Sequence, residues 1–421
     1  MKLTKLEKSW ALYDWANSAY TMTVTTAVFP LYFKAIAAES GISGAQSTVI
    51  WANINGYTSL LVAFLAPILG TIADYYGFKK RFFMFFLAMG ISACLLLGFI
   101  PESQWVLLLL VYMISALGFS GGNIFYDAFL VDVTNDERMD KVSTRGYALG
   151  YIGSTIPFII CMAIILLSSN GILPFDGYTA PKITFVITAV WWLAFSFPMV
   201  KTVKQVHGIE REPQFIKKSF IRLKNTFSEI THYRAAFIFL LAYFFYIDGV
   251  DTIIRMASSY GADLGIDANS LLIILLVTQF VAFPSAIAFG HFAGKYKGKV
   301  MLYVAIVGYI IISIFAYFMK DVTDFWVLAL LVGLFQGGIQ ALSRSYFAKL
   351  IPKENANKYF GLYNIFGKFA AIMGPFLMAF AISITGESRY GVLSLIVLFV
   401  CGGLLLLNVR PNKDATGELD N

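Results

Sequence analysis

Charged residues are scarce in this chain. Asp, Glu, Lys and Arg make up only 14% of its 421 residues, whereas hydrophobic residues make up 58%. Soluble globular domains carry about 25% charged residues, so this composition excludes an ordinary soluble domain. The apolar residues come in long runs without period-two alternation, which favours helices over the strands of an outer-membrane barrel. The sequence therefore predicts an all-α integral membrane protein.

Cysteine and histidine are also rare, and their positions limit the chemistry. The three cysteines, Cys94, Cys161 and Cys401, lie inside apolar runs without ligand-like spacing, so neither a disulfide framework nor a metal site is indicated. The three histidines are scattered along the chain at His207, His232 and His291. No glycine-rich loop of the nucleotide-binding type is present. We expect no enzyme, cofactor or primary pump, and a membrane-embedded enzyme is only a remote alternative.

Twelve apolar stretches each approach the roughly 20 residues that a helix needs to cross a bilayer. The first continues through Phe33, past Asp14 and Asn17, and is too long for the apolar core of a cleaved signal peptide, so we expect it to be retained. The other candidate spans are 47–75, 82–100, 105–131, 144–168, 181–200, 235–260, 270–293, 299–319, 324–348, 359–384 and 390–408.

One long connection divides these spans six and six. The predicted organisation is an N-terminal six-helix bundle at 1–200, a cytoplasmic basic linker at 201–234, a C-terminal six-helix bundle at 235–409 and a polar cytoplasmic tail at 410–421. The linker is rich in Lys and Arg, interleaved with apolar residues, which suits a segment lying along the inner leaflet.

The distribution of Lys and Arg predicts the orientation. The N-terminal tail, the even-numbered connections and the C-terminal tail hold most of these residues, and the opposite side holds only Lys34, Lys182, Lys320 and Arg389. The positive-inside rule then puts both termini in the cytoplasm of a multi-pass protein of the cell inner membrane. This asymmetry accounts for most of the net charge of +7, so we expect no nucleic-acid partner.

Three charged residues interrupt the apolar run from about Ala235 to Tyr260. Asp248, Asp251 and Arg255 stand at i, i+3 and i+7, on one face of a helix. Lipid penalises each of them, so the pattern predicts a polar stripe facing a protein interior or an aqueous cavity, where such groups mark a pathway or a proton relay. The alternative is a neutralised Asp251–Arg255 pair that only locks this helix to its neighbours.

The two halves of the chain echo each other, which indicates an internal repeat. The turn after the second span reads Gly70-Thr-Ile-Ala-Asp74-Tyr-Tyr-Gly77-Phe-Lys79-Lys80-Arg81, and the turn after the eighth reads Gly290-His-Phe-Ala-Gly294-Lys295-Tyr-Lys297-Gly298-Lys299. A second echo pairs Gly121-Gly122 with Gly337-Gly338. The second turn has Gly294 where the first has Asp74, so only the first half can make a contact through a carboxylate there.

The first of these turns is similar to the signature loop of the major facilitator superfamily. Within that superfamily, the segments Tyr13–Tyr20, Phe125–Leu130 and Gly337–Ser345 look like the family grouped with the yeast vacuolar amino-acid effluxers of autophagy. The resemblance implies twelve transmembrane helices in two six-helix bundles that work by alternating access. It also implies a conformational latch on the cytoplasmic side, formed by Gly70, Asp74, Gly77, Lys79, Lys80 and Arg81. The alternative for this group is an ordinary interfacial charge cluster.

The resemblance further implies that the first, fourth, seventh and tenth helices line a central cavity. The residues expected to form a substrate and ion site there, with two from the eleventh span, are Asp14, Asn17, Asp127, Asp248, Asp251, Arg255, Gln340, Arg344, Asn364 and Lys368. Arg344 could be a counter-ion for Asp14 or Asp127, or could extend to the cytoplasmic interface. Lys368 could partner Asp248 or a substrate carboxylate.

Acids and bases together suit a zwitterion such as an amino acid, and the resemblance implies its efflux. Proton coupling would use Asp248 or Asp127, although sodium coordination draws on the same residue types. A lipid or lysolipid transporter of the same fold is the alternative function. The expected partners are a small-molecule substrate, protons or another coupling ion, and the lipid bilayer, with the chain acting as a monomer.

Overall fold

The computed structural model describes residues 3–73, 75–134, 136–208, 210, 230–231, 233–296, 298–348, 350, 362–363, 366–367 and 369–410. Long helices dominate these residues. In chain order the α-helices are α1 (Lys5–Ala19), α2 (Phe29–Glu39), α3 (Gly44–Ala73), α4 (Phe78–Leu97), α5 (Trp105–Ala128), α6 (Leu130–Val133), α7 (Asp136–Ser169), α8 (Thr179–Thr202), α9 (Arg234–Asp263), α10 (Ala268–Tyr296), α11 (Gly298–Phe318), α12 (Val322–Ala348), α13 (Met373–Thr385), α14 (Ser388–Ser394) and α15 (Ile396–Leu407).

The helices coincide with the apolar runs of the sequence. Within the described ranges, nine helices are long and apolar enough to cross a membrane. Two shorter apolar segments, Ala268–Ala282 in α10 and Met373–Thr385 (α13), lie in the predicted eighth and eleventh spans. The 30-residue helix α3, Gly44–Ala73, covers most of the predicted span 47–75. The all-α membrane architecture is therefore confirmed, and the count of twelve spans stays a prediction.

The first span contains a π-helix, Tyr20–Val28, between α1 and α2. It ends where Pro30 stands in the first turn of α2. Proline has no backbone N–H, so Pro30 cannot donate to the carbonyl of Thr26 four residues earlier. That carbonyl instead accepts a hydrogen bond from the hydroxyl of Ser258 in α9. The irregular part of the first span is thus completed by a helix that comes much later in the chain.

The chain divides into two compact units. Unit 1 comprises Met1–Ser219 together with Arg255–Leu276, and unit 2 comprises Phe220–Ile254 together with Val277–Asn421. Helices α9 and α10 therefore each contribute residues to both units. The domain boundaries predicted from the sequence, at residues 200, 234 and 409, stay a prediction.

Glycine allows close helix packing inside unit 1. A Cβ on Gly118 of α5 would lie 2.3 Å from the backbone of Gly90 in α4, and the Ser115 hydroxyl donates to the Gly90 carbonyl at 3.0 Å. Likewise, a Cβ on Gly153 of α7 would lie 2.5 Å from the carbonyl oxygen of Trp15 in α1. These pairs of helices touch through their backbones, so larger residues at the glycines would force them apart.

In unit 2, two glycines lie against aromatic rings. A Cβ on Gly308 of α11 would lie 2.7 Å from the ring of Phe335 in α12. Gly249 of α9 faces Phe399 of α15, whose ring stacks on Tyr309 with the centroids 5.3 Å apart. Gly249 directly follows Asp248, so this packing fixes the turn of α9 that carries one of the predicted site residues.

Candidate functional site

In unit 1, the predicted site residues of the first span meet α5 and α7. Asn17 is buried and its amide donates to the side-chain oxygen of Asn123 at 2.6 Å, an interhelical bond between α1 and α5. The carboxylate of Asp14 is half-buried and faces Gly146 of α7, where a Cβ would lie only 2.7 Å from Asp14 Oδ2. Gly146 therefore makes room for the carboxylate.

Tyr13 links this group to Asp127. Both Asp14 and Asp127 lie close enough to act electrostatically on the buried Tyr13 side chain. The ring of Tyr13 packs against that of Tyr126 with the centroids 4.7 Å apart, and Tyr126 also stacks on Trp10 at 4.5 Å. The structure thus brings Asp14 and Asp127 near one tyrosine. Tyr13 is not among the residues predicted from the sequence, because aromatic residues are too common in this chain to stand out.

Arg255 also belongs to unit 1. Its Nη1 lies 3.3 Å from the hydroxyl of Ser59 in α3, and its charge acts on nearby Tyr112, which donates to Asn55 at 3.2 Å. No carboxylate among the described residues forms an ion pair with Arg255. A guanidinium carries five N–H donors and one hydroxyl contact engages only one of them. The arrangement can therefore bind a further anion, and neutralisation by a carboxylate of its own helix is not seen.

In unit 2, Asp248 is fully buried and caps the start of another helix. Its Oδ2 accepts the backbone N–H of Gly374, the second residue of α13, at 2.8 Å. The hydroxyl of Thr252, one turn along α9, donates to Oδ1 at 3.4 Å. The first N–H groups of a helix lack partners within it and carry partial positive charge, so they stabilise a carboxylate that is held away from water.

Gly374 is required for this contact. A Cβ on that residue would lie 2.1 Å from Thr252 Oγ1 and 2.8 Å from Asp248 Oδ1. The partner predicted from the sequence for Asp248 was Lys368, which could also bind a substrate carboxylate, and no backbone amide was predicted. The sequence signal that could have indicated the contact is Gly374 itself, a small residue in the eleventh span that leaves room for a carboxylate of α9.

The remaining predicted site residues are only partly described. Asp251 on α9 and Gln340 on α12 are half-buried in unit 2. Two buried hydrogen bonds lie near Gln340 in the sequence. Tyr246 and Ser343 share one of 2.6 Å, and Ser343 donates the other to the Ile339 carbonyl. Asp74, the side chain of Arg344, Asn364 and Lys368 lie outside the described residues.

The predicted latch residue Lys79 has a partner within unit 1. Its ammonium donates to Asp132 Oδ2 at 2.9 Å, and both side chains are almost fully buried. The other carboxylate oxygen accepts the backbone N–H groups of Val206 at 2.9 Å and His207 at 2.7 Å. Asp132 thus binds both the turn that begins α4 and the chain that follows α8.

Other latch residues hold the same segment. The Gly77 N–H donates to the side-chain oxygen of Gln205 at 3.0 Å, and Gly77 has a φ of 84°, which favours glycine. Lys80 donates to the Val203 carbonyl at 2.5 Å. Arg81 is exposed, and a Cβ on Gly70 would meet no atom within 4 Å. The start of the predicted linker therefore packs on the turn between α3 and α4.

A matching contact occurs in unit 2. Lys299, at the start of α11, donates to the carbonyls of Val409 at 2.7 Å and Leu407 at 3.3 Å, where α15 ends. Lys80 and Val203 stand in the same relation at the start of α4 and the end of α8. In each half a lysine after the signature-like turn binds the C-terminal carbonyls of the last helix, so the sequence echo has a structural counterpart.

No group of three or more His, Cys, Asp or Glu in the part of the chain that the structure describes is arranged to hold a metal ion. The polar groups described above instead offer carboxylates, amides, hydroxyls and one guanidinium along membrane-spanning helices. Such groups can bind and release a small polar solute and protons.

Comparison with known proteins gives one family over nearly the whole chain. The profile of the family described as "Vacuole effluxer Atg22 like" matches residues 4–416. The chain is 57% identical over 415 residues to YxiO of Bacillus subtilis, described as an uncharacterised MFS-type transporter, covering 99% of this chain and 97% of YxiO. It is 21% identical over 497 residues to autophagy-related protein 22 of Saccharomyces cerevisiae, covering 98% and 93% of the two chains.

Two solved structures share the fold. The D-xylose-proton symporter superposes with a TM-score of 0.71 at 10% identity, covering 98% of this chain and 99% of that one. The nucleoside transporter NupG superposes with a TM-score of 0.67 at 14% identity, covering 96% and 98%. Both agree with the major facilitator fold that the sequence analysis predicted.

Proposed function

Because the chain belongs to the Atg22-like family of major facilitator transporters, we propose that it is a secondary transporter that exports a small zwitterionic solute, an amino acid, in exchange for protons. That the chain is a multi-pass membrane transporter of the major facilitator type rests on its family and its fold. The solute, the direction and the coupling ion are the proposal.

The main support for proton coupling is the environment of the Asp248 carboxylate. A fully buried carboxylate at membrane depth is costly unless its charge is stabilised or removed. Here the Gly374 N–H stabilises the charge at 2.8 Å. Movement of the start of α13 away from α9 would remove that donor, and the carboxylate would then take up a proton. A carboxylate whose donor comes from another helix can thus couple protonation to helix movement.

Arg255 supports an anionic group on the solute. Its guanidinium lies at membrane depth and is engaged among described residues by the Ser59 hydroxyl at 3.3 Å. Arginine binds carboxylates through two parallel N–H bonds, which fixes their orientation as well as their charge. We propose that Arg255 binds the carboxylate of the amino acid and that an aspartate binds its ammonium group.

The proposed solute and ion site keeps the set predicted from the sequence: Asp14, Asn17, Asp127, Asp248, Asp251, Arg255, Gln340, Arg344, Asn364 and Lys368. Alternating access would expose these groups to one side of the membrane at a time. The family description "vacuole effluxer" supports export as the direction.

Reconstituted protein in proteoliposomes tests the proposal. We expect labelled amino acids to be moved by a pH gradient and to exchange in counterflow without one, whereas labelled lysolipids are not moved. Movement of lysolipid alone would overturn the solute assignment in favour of a lipid transporter. Flux that follows a sodium gradient at constant pH would overturn the proton assignment.

Asp248→Asn separates coupling from binding. The amide keeps the size of the side chain but cannot carry the charge, so we expect pH-driven flux to be lost while counterflow is partly retained. Asp324→Asn is the matched control, because Asp324 is a half-buried aspartate in the first turn of α12. Unchanged pH-driven flux in Asp248→Asn would remove Asp248 as the coupling residue.

A further inference from the structure

Two cations lie side by side at one end of unit 1. The Lys80 ammonium, near the start of α4, donates to the Val203 carbonyl at 2.5 Å, and Lys204 directly follows Val203. The two lysines are close enough to act on each other electrostatically. Lys80 is half-buried and Lys204 is exposed. Because like charges repel, this arrangement costs free energy unless an anion offsets the repulsion.

Unit 2 repeats the arrangement. The Lys299 ammonium, at the start of α11, donates to the Val409 carbonyl at 2.7 Å, and Arg410 directly follows Val409. Arg410 acts electrostatically on Lys299. Again the lysine is half-buried and the second cation is exposed. One half uses a lysine and the other an arginine as the second cation, so positive charge is what the two groups share. We call them the cation pairs: Lys80 with Lys204, and Lys299 with Arg410.

Other lysines near the ends of spans are neutralised by carboxylates. Lys79 pairs with Asp132 at 2.9 Å, and Lys182 on the predicted outer side pairs with Glu102. In the part of the chain that the structure describes, no carboxylate forms an ion pair with a member of either cation pair. The cation pairs can therefore bind an anion that the chain itself does not supply.

An exposed apolar stripe on α8 leads to the cation pair of unit 1. Its members are Val190, Leu193 and Phe197, which follow one another at i, i+3 and i+7. Thr179–Thr202 is a candidate membrane span, so exposed apolar side chains along it contact lipid. Lys201 continues this face in the last turn of α8, and Lys204 follows the end of the helix. Lipid-facing surface and positive charge are thus adjacent here.

Helix α15 has a matching stripe in unit 2. Its exposed members are Val397, Val400, Leu404 and Leu407, which follow one another at i, i+3, i+7 and i+10. Arg410 stands three residues beyond the last of them. The span Ser388–Leu407 therefore also ends beside a cation pair. An acyl chain packed on either stripe would bring the phosphate of its lipid to the adjacent cations.

We propose that each cation pair binds the phosphate of an anionic phospholipid of the cytoplasmic leaflet, whose acyl chain lies on the apolar stripe of α8 or α15. The distribution of Lys and Arg predicts that both pairs lie on the cytoplasmic side, where the leaflet is negatively charged. Phosphate oxygens accept charge-assisted hydrogen bonds from ammonium and guanidinium groups. A headgroup that carries its own cation cancels the charge of its phosphate, so phosphatidylglycerol fits and phosphatidylcholine does not. The bound lipid is a ligand of these helix ends and is not the transported solute.

Native mass spectrometry of the purified full chain counts its bound lipids. We expect two bound molecules of phosphatidylglycerol per chain and no retention of phosphatidylcholine with the same acyl chains. Lys204→Gln and Arg410→Gln should each weaken binding at one site about fivefold, since each Lys or Arg near an anionic membrane surface contributes roughly this factor. The double variant should weaken both sites. Both residues follow the ends of their helices, so the substitutions leave the carbonyl bonds of Lys80 and Lys299 in place.

Arg234→Gln is the matched control, because Arg234 is exposed at the start of α9 on the same predicted side. It removes the same charge and should leave lipid binding unchanged. An equal loss of binding in this control would show that general positive charge attracts the lipid, and the proposal would be wrong. Equal retention of phosphatidylglycerol and phosphatidylcholine would contradict it as well. Should Lys204→Gln fail to fold, Lys204→Arg keeps the charge and must bind two lipids like the parent.

A thermal-shift assay distinguishes a lipid from free phosphate. Phosphatidylglycerol should raise the Tm of the parent, because a ligand that binds only the folded state stabilises it. Inorganic phosphate at the same concentration should not. A rise in Tm with inorganic phosphate that is lost in Lys204→Gln would overturn the lipid assignment. Neither assay requires a solute or an ion gradient, so the outcome is independent of the proposed transport.

Discussion

At the scale of single residues, the most important feature is how a buried carboxylate is stabilised inside an apolar helix. Asp248 is fully buried and receives a backbone N–H from Gly374, 126 residues later in the chain. The charge itself could be selected from the sequence, because Asp stands out in a membrane span. Its partner could not, because a backbone amide has no residue type and the contact depends on tertiary packing.

Gly374→Ala tests this contact. The added methyl group would lie 2.1 Å from Thr252 Oγ1, so α13 must move away from α9 and the bond to Asp248 is lost. We expect pH-driven flux to fall strongly and the free energy of unfolding to decrease by about 1–3 kcal/mol, as for other overpacked sites. The measurements are proteoliposome flux and thermal unfolding in detergent.

Gly403→Ala is the control for that substitution. Its Cβ would meet only Ile306 Cγ2 at 3.7 Å, an ordinary contact, so flux and stability should stay near those of the parent. If the two alanine variants behave alike, the close approach at Gly374 does not support Asp248.

The partner of Arg255 could not be predicted from the sequence either. The sequence offered two interpretations, a pair with Asp251 or a functional cation, and spacing alone could not separate them. The structure shows a hydroxyl contact with Ser59 and no ion pair to a described carboxylate. Residues four apart on a helix can pair but do not have to, so spacing could not predict the contact with α3. The functional role of Arg255 stays a prediction.

At the scale of elements, each half ends its last helix in the same way. Lys80 binds the Val203 carbonyl and Lys299 binds the Val409 carbonyl. The repeat was visible in the sequence as two glycine- and lysine-containing turns. The carbonyls that these lysines bind could not be predicted, although Val203-Lys204 and Val409-Arg410 also echo each other. Which carbonyl accepts the bond follows from helix packing and not from the side chain at that position.

Lys80→Gln and Lys299→Gln test this pair of caps. Cations near a helix C-terminus offset the partial negative charge of its last carbonyls, so each substitution should lower the free energy of unfolding by about 0.3–1 kcal/mol. The two residues share no partner, so the double variant should show the sum. Thermal or denaturant unfolding measures both effects.

Lys320→Gln provides the comparison for these caps, because Lys320 is exposed in the connection before α12. We expect it to have no measurable effect on unfolding. A loss in Lys320→Gln equal to that in the cap variants would mean that general charge, and not carbonyl binding, accounts for the result.

At the scale of the whole molecule, composition was enough to predict an all-α membrane protein. Long apolar runs and the signature-like turn predicted a major facilitator transporter, and the solved symporter structure at a TM-score of 0.71 agrees. The identity of the solute, in contrast to the fold class, cannot be predicted from composition and motifs. It depends on a few side chains whose surroundings are set by packing, and charge counting cannot supply those surroundings.

Orientation is the whole-molecule prediction that is easiest to test. Positive charge is concentrated on one side, so both termini should lie in the cytoplasm. Ser43→Cys, exposed just before α3, should react with an impermeant maleimide added outside intact cells, whereas Lys204→Cys, exposed after α8, should react only after permeabilisation. The reverse pattern, or labelling of both in intact cells, would contradict the predicted topology.

Pro30 has a consequence for biosynthesis. The Thr26 carbonyl has no N–H from Pro30, and its acceptor capacity is met by Ser258, 232 residues downstream. During synthesis the first span would enter the bilayer long before that hydroxyl leaves the ribosome. The contact between the π-helix and α9 can therefore form only after more than half of the polypeptide has been translated.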